Sequence, residues 1–222
     1  YRDNGVLNVN SMNSDEIKNH LLATGCWAFI KQRPYDVIAN PDVKPKAIFI
    51  SALTTAPLSA DYDFTLLGKE NELQAAVTAF SKLTDGKVNV SVGENSKSVF
   101  EGLNDITVHK MSGVHPAGNV GTLINKVDPV NKGEVVWTVT PQDLVIIGTL
   151  FLTGKFNAKR VIALSGSSLK NPKYYTAKIG AEVSTFIYDS GLNEENVRVI
   201  NGNVLSGEKI ALKGHLGYYS DT

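Results

Sequence analysis

Short apolar runs of strand length alternate with amphipathic helical patterns along most of this 222-residue chain. Strands that alternate with helices are typical of a sheet with parallel strands and with helices packed on its faces. The strand-like runs are 47–53, 87–93, 106–110 and 135–139, and helical patterns begin near Ser14, Lys69 and Pro141. Ser14 is the expected N-cap of the first helix and Gly25 its expected end. The alternation therefore predicts an α/β domain of the Rossmann-like type.

The pattern changes in the last third of the chain. Two strand-like pieces meet at Asn171-Pro172 and are followed by a short amphipathic helix and two or three more strands. This order of elements within about 60 residues predicts a small α+β domain of the β-grasp type. The polar segment 154–158 is the expected linker, so we predict domains at 1–156 and 157–222.

Composition excludes several classes of protein. The chain carries 22 basic and 22 acidic residues, so no net charge draws it to nucleic acid or to an anionic membrane. Cys26 is the only cysteine, which excludes an internal disulfide and a multi-thiolate metal site, and the four histidines lack metal-ligand spacing. The longest strongly apolar stretch, 144–152, is shorter than the roughly 20 residues that span a bilayer. The chain starts without methionine, and we expect a fragment of a longer protein.

The segment 111–122, MSGVHPAGNVGT, is rich in glycine and lies between a strand and a helical pattern. Gly113 and Gly118 match the first half of the phosphate-binding spacing G-x-x-x-x-G-K-[ST], but Asn119 and Val120 replace its lysine and its hydroxyl residue. The segment therefore does not predict binding of a nucleoside triphosphate. Main-chain N–H groups at the start of the following helix could still meet an anion.

His115 lies in the same segment and has two interpretations. An imidazole titrates near neutrality and serves as a general base when a nucleophile and an orienting carboxylate are close to it. Otherwise, a histidine in a turn simply hydrogen-bonds to a main-chain carbonyl. No nucleophile elbow and no partner carboxylate is recognisable in the sequence, so no catalytic residue is predicted.

The segment 26–36, CWAFIKQRPYD, places three aromatic rings beside two basic residues. Trp27 and Phe29 with Lys31 and Arg33 could form a wall for a flat ligand such as a flavin or a quinone. Alternatively, the segment is extended and its rings anchor it in the core. Both interpretations stay open, and the second is preferred.

Five stretches of the chain together carry a family resemblance. They are TGCWAFIKQRPYDVIANPD, IFISALTTAPLSAD, VHKMSGVHPAGNVGT, VWTVTPQDLVIIGTLFLTGK and RVIALSGSSLKNPKYYTAKIGAEVSTFI. The first four resemble the A subunits of Na⁺-translocating NADH:quinone reductases, the NqrA family, and the fifth resembles the SLBB segment of that family, a β-grasp unit. The resemblance implies that a leading biotinyl-like domain and a trailing region of the full subunit are absent from this chain.

The NqrA family is similar to RnfC and to the flavin-binding subunit of respiratory complex I. In those relatives the segment matching TGCWAFIKQRP is a glycine-rich loop that holds FMN and admits NADH. Here only Gly25 is retained, and bulky side chains such as Trp27 would block the close approach that a flavin phosphate needs. The resemblance thus implies a degenerate flavin and NADH site. It also implies that segment 111–122 is an inherited strand-to-helix turn with altered chemistry.

Together, the two segments supply candidate contacts for a quinone or a similar ligand. These candidates are Trp27, Phe29, Arg33, His115 and Gly118. We expect no metal site and no cofactor bound by this chain itself. NADH, flavins, iron–sulfur clusters and quinone are expected in the complex as a whole.

The resemblance implies a peripheral subunit of a membrane-bound sodium pump of the respiratory chain, at the cytoplasmic face of the bacterial inner membrane. This fragment would be soluble and would supply docking surface for the other subunits, with a contribution to quinone binding. The alternative is a ligand-binding module that accepts a quinone or a nucleotide between its two domains. Catalysis by the chain alone is not predicted, and whether the chain is an enzyme stays open.

Overall fold

The computed structural model describes residues 4–222, which divide into two compact units. The first unit contains the described residues up to Leu53 together with Tyr62–Asn157. The second contains Thr54–Asp61 and Ala158–Thr222. The sequence gives no signal that the short segment 54–61 belongs with the last third of the chain.

A six-stranded sheet forms the centre of the first unit, in the order β2-β1-β6-β3-β4-β5. Strands β6, β3, β4 and β5 are parallel, whereas β1 runs antiparallel to both β6 and β2. The unit is therefore α/β with a mixed sheet, as the alternation of elements predicts. The strands are β1 (Lys31–Arg33), β2 (Val37–Ile38), β3 (Ile48–Ser51), β4 (Val88–Gly93), β5 (Thr107–Met111) and β6 (Val136–Thr138).

The first and last helices of this unit begin at residues whose side chains cap them. The first helix is capped by Asn13 and not by Ser14, because the Asn13 side chain accepts from the Glu16 N–H while the Glu16 carboxylate accepts from the Asn13 N–H. It ends as predicted at Gly25, which has a left-handed backbone conformation. The helices are α1 (Ser14–Thr24), α2 (Tyr62–Thr65), α3 (Glu70–Ser81), α4 (Val120–Val127) and α5 (Pro141–Thr153).

Two helices approach each other closely in the core of the first unit. A Cβ atom added at Gly148 of α5 would lie 1.8 Å from the main-chain oxygen of Glu72 in α3. Only glycine therefore fits at this crossing. Helix α4 packs elsewhere, in a cluster made by buried side chains of α4 and of the sheet, namely Ala47, Phe49, Met111, Leu123, Ile124 and Val136.

The second unit is a small α+β assembly, as predicted for this part of the chain. Strands β7 (Lys159–Leu164) and β8 (Lys173–Lys178) pair antiparallel, and so do β9 (Val199–Asn201) and β10 (Glu208–Ile210). Helix α6 (Ser184–Ser190) lies between the two pairs in sequence. Its core is made by five buried apolar residues, which are Ile162, Ala177, Val183, Ile187 and Leu216.

None of the helices within residues 4–222 has the length and hydropathy required to cross a bilayer. The most apolar of them, α5, has 13 residues, whereas a span requires about 20.

The α3–α5 contact leads to a paired test. We expect Gly148→Ala to lower the free energy of unfolding by about 1–3 kcal/mol, because the added methyl group has no room beside Glu72. Gly121→Ala in α4 is the control, because a Cβ at Gly121 meets no atom within 4 Å. Alanine there should leave stability unchanged or raise it by up to about 1 kcal/mol. Urea denaturation measures both variants, and equal effects would contradict the close approach.

Candidate functional site

The strand order places a topological switch point between β3 and β6. From β3 the chain moves outward through β4 to β5, and it then returns to β6 on the other side of β3. In open α/β sheets, ligands bind at the carboxyl ends of the strands beside such a point. The carboxyl ends of β3 and β6 are therefore where a functional site is expected.

The glycine-rich loop 112–119 is attached to the carboxyl end of β3. The Ser51 hydroxyl donates to the Gly118 main-chain oxygen at 2.7 Å and accepts from the Ser91 hydroxyl at 3.0 Å. The loop then enters α4, and the Thr122 hydroxyl donates back to the Pro116 main-chain oxygen at 2.8 Å. The segment is thus a strand-to-helix turn, as the resemblance implies. His115 and Gly118 in this turn are half-buried and keep part of their surface in solvent.

Helix α5 begins at the carboxyl end of β6, and its positive end already holds a protein carboxylate. Thr140 caps the helix by accepting from the Asp143 N–H at 3.3 Å. Asp143 itself lies in the first turn and is fully buried. A carboxylate in the first turn compensates the helix dipole. The position that an anionic ligand would take at this helix start is therefore electrostatically occupied.

A stripe of polar side chains lies on the sheet next to the loop. It consists of Ser51, Asn89, Ser91 and His109, and we call it the polar stripe. Its members share one face, because Ser91 is the register partner of both Ser51 and His109 and lies two residues after Asn89. The Asn89 side-chain oxygen lies 3.0 Å from Nε2 of His109. In the sequence, this stripe is indicated by the alternation of Asn89 and Ser91 with valines in 87–93. The alternation does not show whether the polar face or the valine face of the strand is buried.

The polar stripe is a neutral hydrogen-bonding surface. Burial, and secondarily the positive charge of Lys87, holds the pKa of His109 below its ordinary value, so the ring is neutral at pH 7. Within residues 4–222, no group of three or more His, Cys, Asp or Glu side chains is arranged to hold a metal ion. The stripe can orient a polar ligand or a loop through its hydrogen-bonding groups.

The aromatic segment begins as a buried 3₁₀ turn and is extended only in β1, whereas the preferred interpretation has it extended throughout. Cys26–Phe29 is one turn of 3₁₀ helix, and the side chains of Trp27 and Phe29 are 4% and 1% exposed. Trp27 Nε1 donates to the Ala39 main-chain oxygen at 2.7 Å, and its ring meets that of Trp137 edge-on at 5.2 Å. The Phe29 ring stacks on that of Phe156 at 6.2 Å. Both rings therefore belong to the core of the first unit.

Arg33 lies away from the glycine-rich loop. It is in β1, opposite Val136 at the amino end of β6, and it pairs with Asp36 at 3.3 Å. Gly118 contacts Ser51 at the carboxyl end of β3. Counted from Arg33, Ser51 lies two strands across the sheet and about four residues further along it. The main chains of Arg33 and Ser51 are therefore about 16 Å apart, given a strand spacing of about 4.8 Å and a rise of about 3.3 Å per residue. The five candidate residues form separate groups, and only His115 and Gly118 are neighbours at the switch point.

The β1–β2 hairpin forms an exposed apolar edge of the sheet, which the sequence did not predict. Within residues 4–222, strand β2 pairs with β1 alone and ends the sheet on that side. Tyr35, Val37 and Ile38 are 81%, 50% and 52% exposed. We call these three residues with the outer main-chain groups of β2 the edge surface. Such an edge is open to pairing with another chain.

Comparison with protein families matches both units of the chain. Residues 12–156 match the family described as the NqrA second alpha/beta domain, and residues 161–211 match the one described as the NQRA C-terminal domain, of SLBB type. The chain belongs to the NqrA family. This confirms the resemblance and the predicted order of an α/β domain followed by a small SLBB domain.

The relatives are A subunits of Na⁺-translocating NADH-quinone reductases. The proteins of Yersinia pestis (strain Angola) and Pasteurella multocida are each 34% identical to this chain, over 95% and 91% of it. The protein of Neisseria gonorrhoeae is 35% identical over 94% of it. The matches cover 47%, 45% and 46% of those proteins. This NqrA-family chain therefore spans about half the length of its relatives.

Solved structures of much lower sequence identity share the fold. An NAD⁺-reducing [NiFe]-hydrogenase in the H₂-reduced state matches with a TM-score of 0.59 at 11% identity, over 96% of this chain and 49% of the hydrogenase chain. The air-oxidised state gives a TM-score of 0.58 at 10% identity. At such identities the likeness concerns the fold alone.

The reactivity of the Cys26 thiol tests whether the turn Cys26–Phe29 is buried. It is fully buried, and burial raises the pKa of its thiol to about 12, with the Asp143 carboxylate acting in the same direction. Because the thiolate is the reactive species, we expect DTNB to label the folded chain roughly a thousandfold or more slowly than the urea-unfolded chain. A Cys26→Ala chain carrying Ser14→Cys, at an exposed position, is the control and should react at once. Rapid labelling of native Cys26 would contradict the buried turn.

Proposed function

We propose that this chain is the central part of a peripheral subunit of a Na⁺-translocating NADH:quinone reductase and that it acts there mainly by docking. The subunit would lie at the cytoplasmic face of the bacterial inner membrane, and the other subunits would oxidise NADH and carry the flavins and iron–sulfur clusters. Membership of the NqrA family supports the assignment to this complex. The edge surface is the observation that supports the docking role.

The edge surface has the two properties that strand-pairing partners use. In the described part of the chain, its outer main-chain groups pair with no other strand, and its side chains at Tyr35, Val37 and Ile38 expose apolar area. Main-chain hydrogen bonds at such an edge supply affinity, and alternate side chains supply specificity. An exposed apolar edge favours aggregation unless a partner covers it, so its presence supports a partner at this edge.

The rest of the first unit supports a role without a bound redox cofactor. The segment that corresponds to the flavin-holding loop of the wider relatives is a buried 3₁₀ turn around Trp27 and Phe29. The start of α5 is occupied by the buried Asp143. A flavin phosphate would need both the close main-chain approach of glycines and a free positive helix end.

The docking role is tested in the intact reductase. We expect the double variant Val37→Lys with Ile38→Lys to reduce the A subunit recovered with a tagged partner subunit at least about tenfold, because two ammonium groups would have to lose water at the interface. The matched control is Val6→Lys, which charges a valine that is 70% exposed and does not belong to the edge surface. Unchanged recovery of the double variant would refute docking through this edge.

A second role, binding of a quinone or a similar ligand, rests on the loop 112–119. The loop lies at the switch point, and it offers the half-buried His115 imidazole and the Gly118 main chain. An imidazole beside polar groups can donate to a quinone carbonyl oxygen. Arg33 and the buried rings of Trp27 and Phe29 would support this site from a distance and would not line it directly.

Titration with a water-soluble quinone, followed by amide NMR of the loop, tests this second role. We expect saturable shifts at His115 and Gly118, and we expect His115→Ala to weaken binding about fivefold or more, which corresponds to a hydrogen bond of about 1 kcal/mol. His215→Ala, at an exposed histidine of the second unit, is the control and should bind as the unaltered chain does. Shifts that do not saturate, or equal affinities for the two variants, would exclude the loop.

A further inference from the structure

A cavity of about 270 Å³ lies within the second unit, in no contact with the residues of the proposed docking and quinone sites. Most of its lining comes from three parts of the chain, and Thr222 adds to it; the three parts are Pro57-Leu58, the end of β7 with the following turn 165–169, and the segment 197–204 around β9. Leu192 and Ile187 of the α6 region close its inner side. All of these residues belong to one compact unit.

The wall at Pro57-Leu58 is built into the second unit by hydrogen bonds. The Ser165 hydroxyl donates to the Leu58 main-chain oxygen at 2.8 Å. The Asp61 N–H donates to the Tyr174 hydroxyl at 3.0 Å, and the Ala60 N–H donates to the Thr222 hydroxyl at 3.1 Å. The segment 54–61 is thus held as a fixed side of the cavity.

The lining separates into an apolar interior and a rim of hydrogen-bond donors. The interior is made by aliphatic side chains such as Leu164, Leu192 and Val199. The rim carries the exposed Arg198 and the small polar turn 165–168, and no Asp or Glu side chain lines the cavity. Within the described part of the chain, Arg198 has no carboxylate within ion-pair distance.

The turn adds donors of its own to this rim. The Gly166 main-chain oxygen accepts from the Leu169 N–H, which closes the turn. Among the hydrogen bonds of residues 4–222, none uses the main-chain N–H of Ser167 or Ser168. Successive free N–H groups of a turn form a concavity that favours an anion.

We infer that this cavity binds a small amphiphilic anion, with its apolar part among the aliphatic side chains and its carboxylate or phosphate group between Arg198 and the turn 165–168. Ligand pockets usually start near 300 Å³, so the apolar part is a short chain or a single ring and not a large cofactor. A guanidinium pairs in two-pronged geometry with either anionic group. An unpaired guanidinium beside an apolar interior is the juxtaposition that carries this inference.

Three ten-carbon probes that differ in head group test the inference on the whole chain. Decanoate, decanol and decyltrimethylammonium are titrated below their micelle concentrations and followed by calorimetry and amide NMR. We expect decanoate to bind at least about tenfold more tightly than decyltrimethylammonium, with decanol between them, and to shift the amides of Ser167, Ser168 and Leu169. Equal affinities for the three probes, or shifts elsewhere only, would overturn the inference.

Head-group recognition is separated from apolar burial by matched variants. Arg198→Ala should remove most of the preference for decanoate, whereas Lys213→Ala, at an exposed lysine outside the cavity, should leave it unchanged. Val204→Trp, at a lining residue that is 45% exposed, should fill the cavity and weaken all three probes about tenfold. Circular dichroism checks that each variant folds. If Val204→Trp does not fold, the amide shifts of the unaltered chain decide whether the probes bind in the cavity. Equal effects of Arg198→Ala and Lys213→Ala would refute anion binding here.

Discussion

The burial of strand β3 is the constraint on which the first unit depends. Ile48, Phe49 and Ile50 are fully buried, and β3 pairs in parallel with β4 on one side and with β6 on the other. A strand that is covered on both faces must have helices on both faces, and parallel pairing requires a crossover to every neighbour. The switch point therefore follows from the position of β3 in the sheet. The burial of one strand thus decides where a ligand site would be sought.

That place is filled largely by the protein itself. The Ser51 hydroxyl is engaged by the glycine-rich loop, and the buried Asp143 occupies the start of α5. The aromatic rings of the segment 26–29 complete the core beside β6. The unit has an open α/β sheet with a switch point, but the groups at that point bond to one another, which is why we propose a docking role for it.

The second unit is organised by a different constraint. Its strands are short antiparallel pairs, and its core is small, so the segment 54–61 supplies extra walls through its hydrogen bonds to Ser165, Tyr174 and Thr222. The cavity exists because that segment and β9 leave a gap over the α6 region. The proposed anion site is thus independent of the site at the switch point, and the two can be tested separately.

The sequence by itself determined the local elements, because helical periodicity, caps and β-branched runs act over a few residues. It predicted the strand at 87–93, the start of α5 at Thr140-Pro141 and the turn into α4, and it misplaced the first N-cap by one residue. The resemblance carried by its motifs indicated the NqrA family. Only the tertiary structure decided that Trp27 and Phe29 are core residues, that Arg33 is far from Gly118, and that the segment 54–61 joins the second unit. These outcomes depend on strand order and register between residues distant in sequence, which no local pattern encodes.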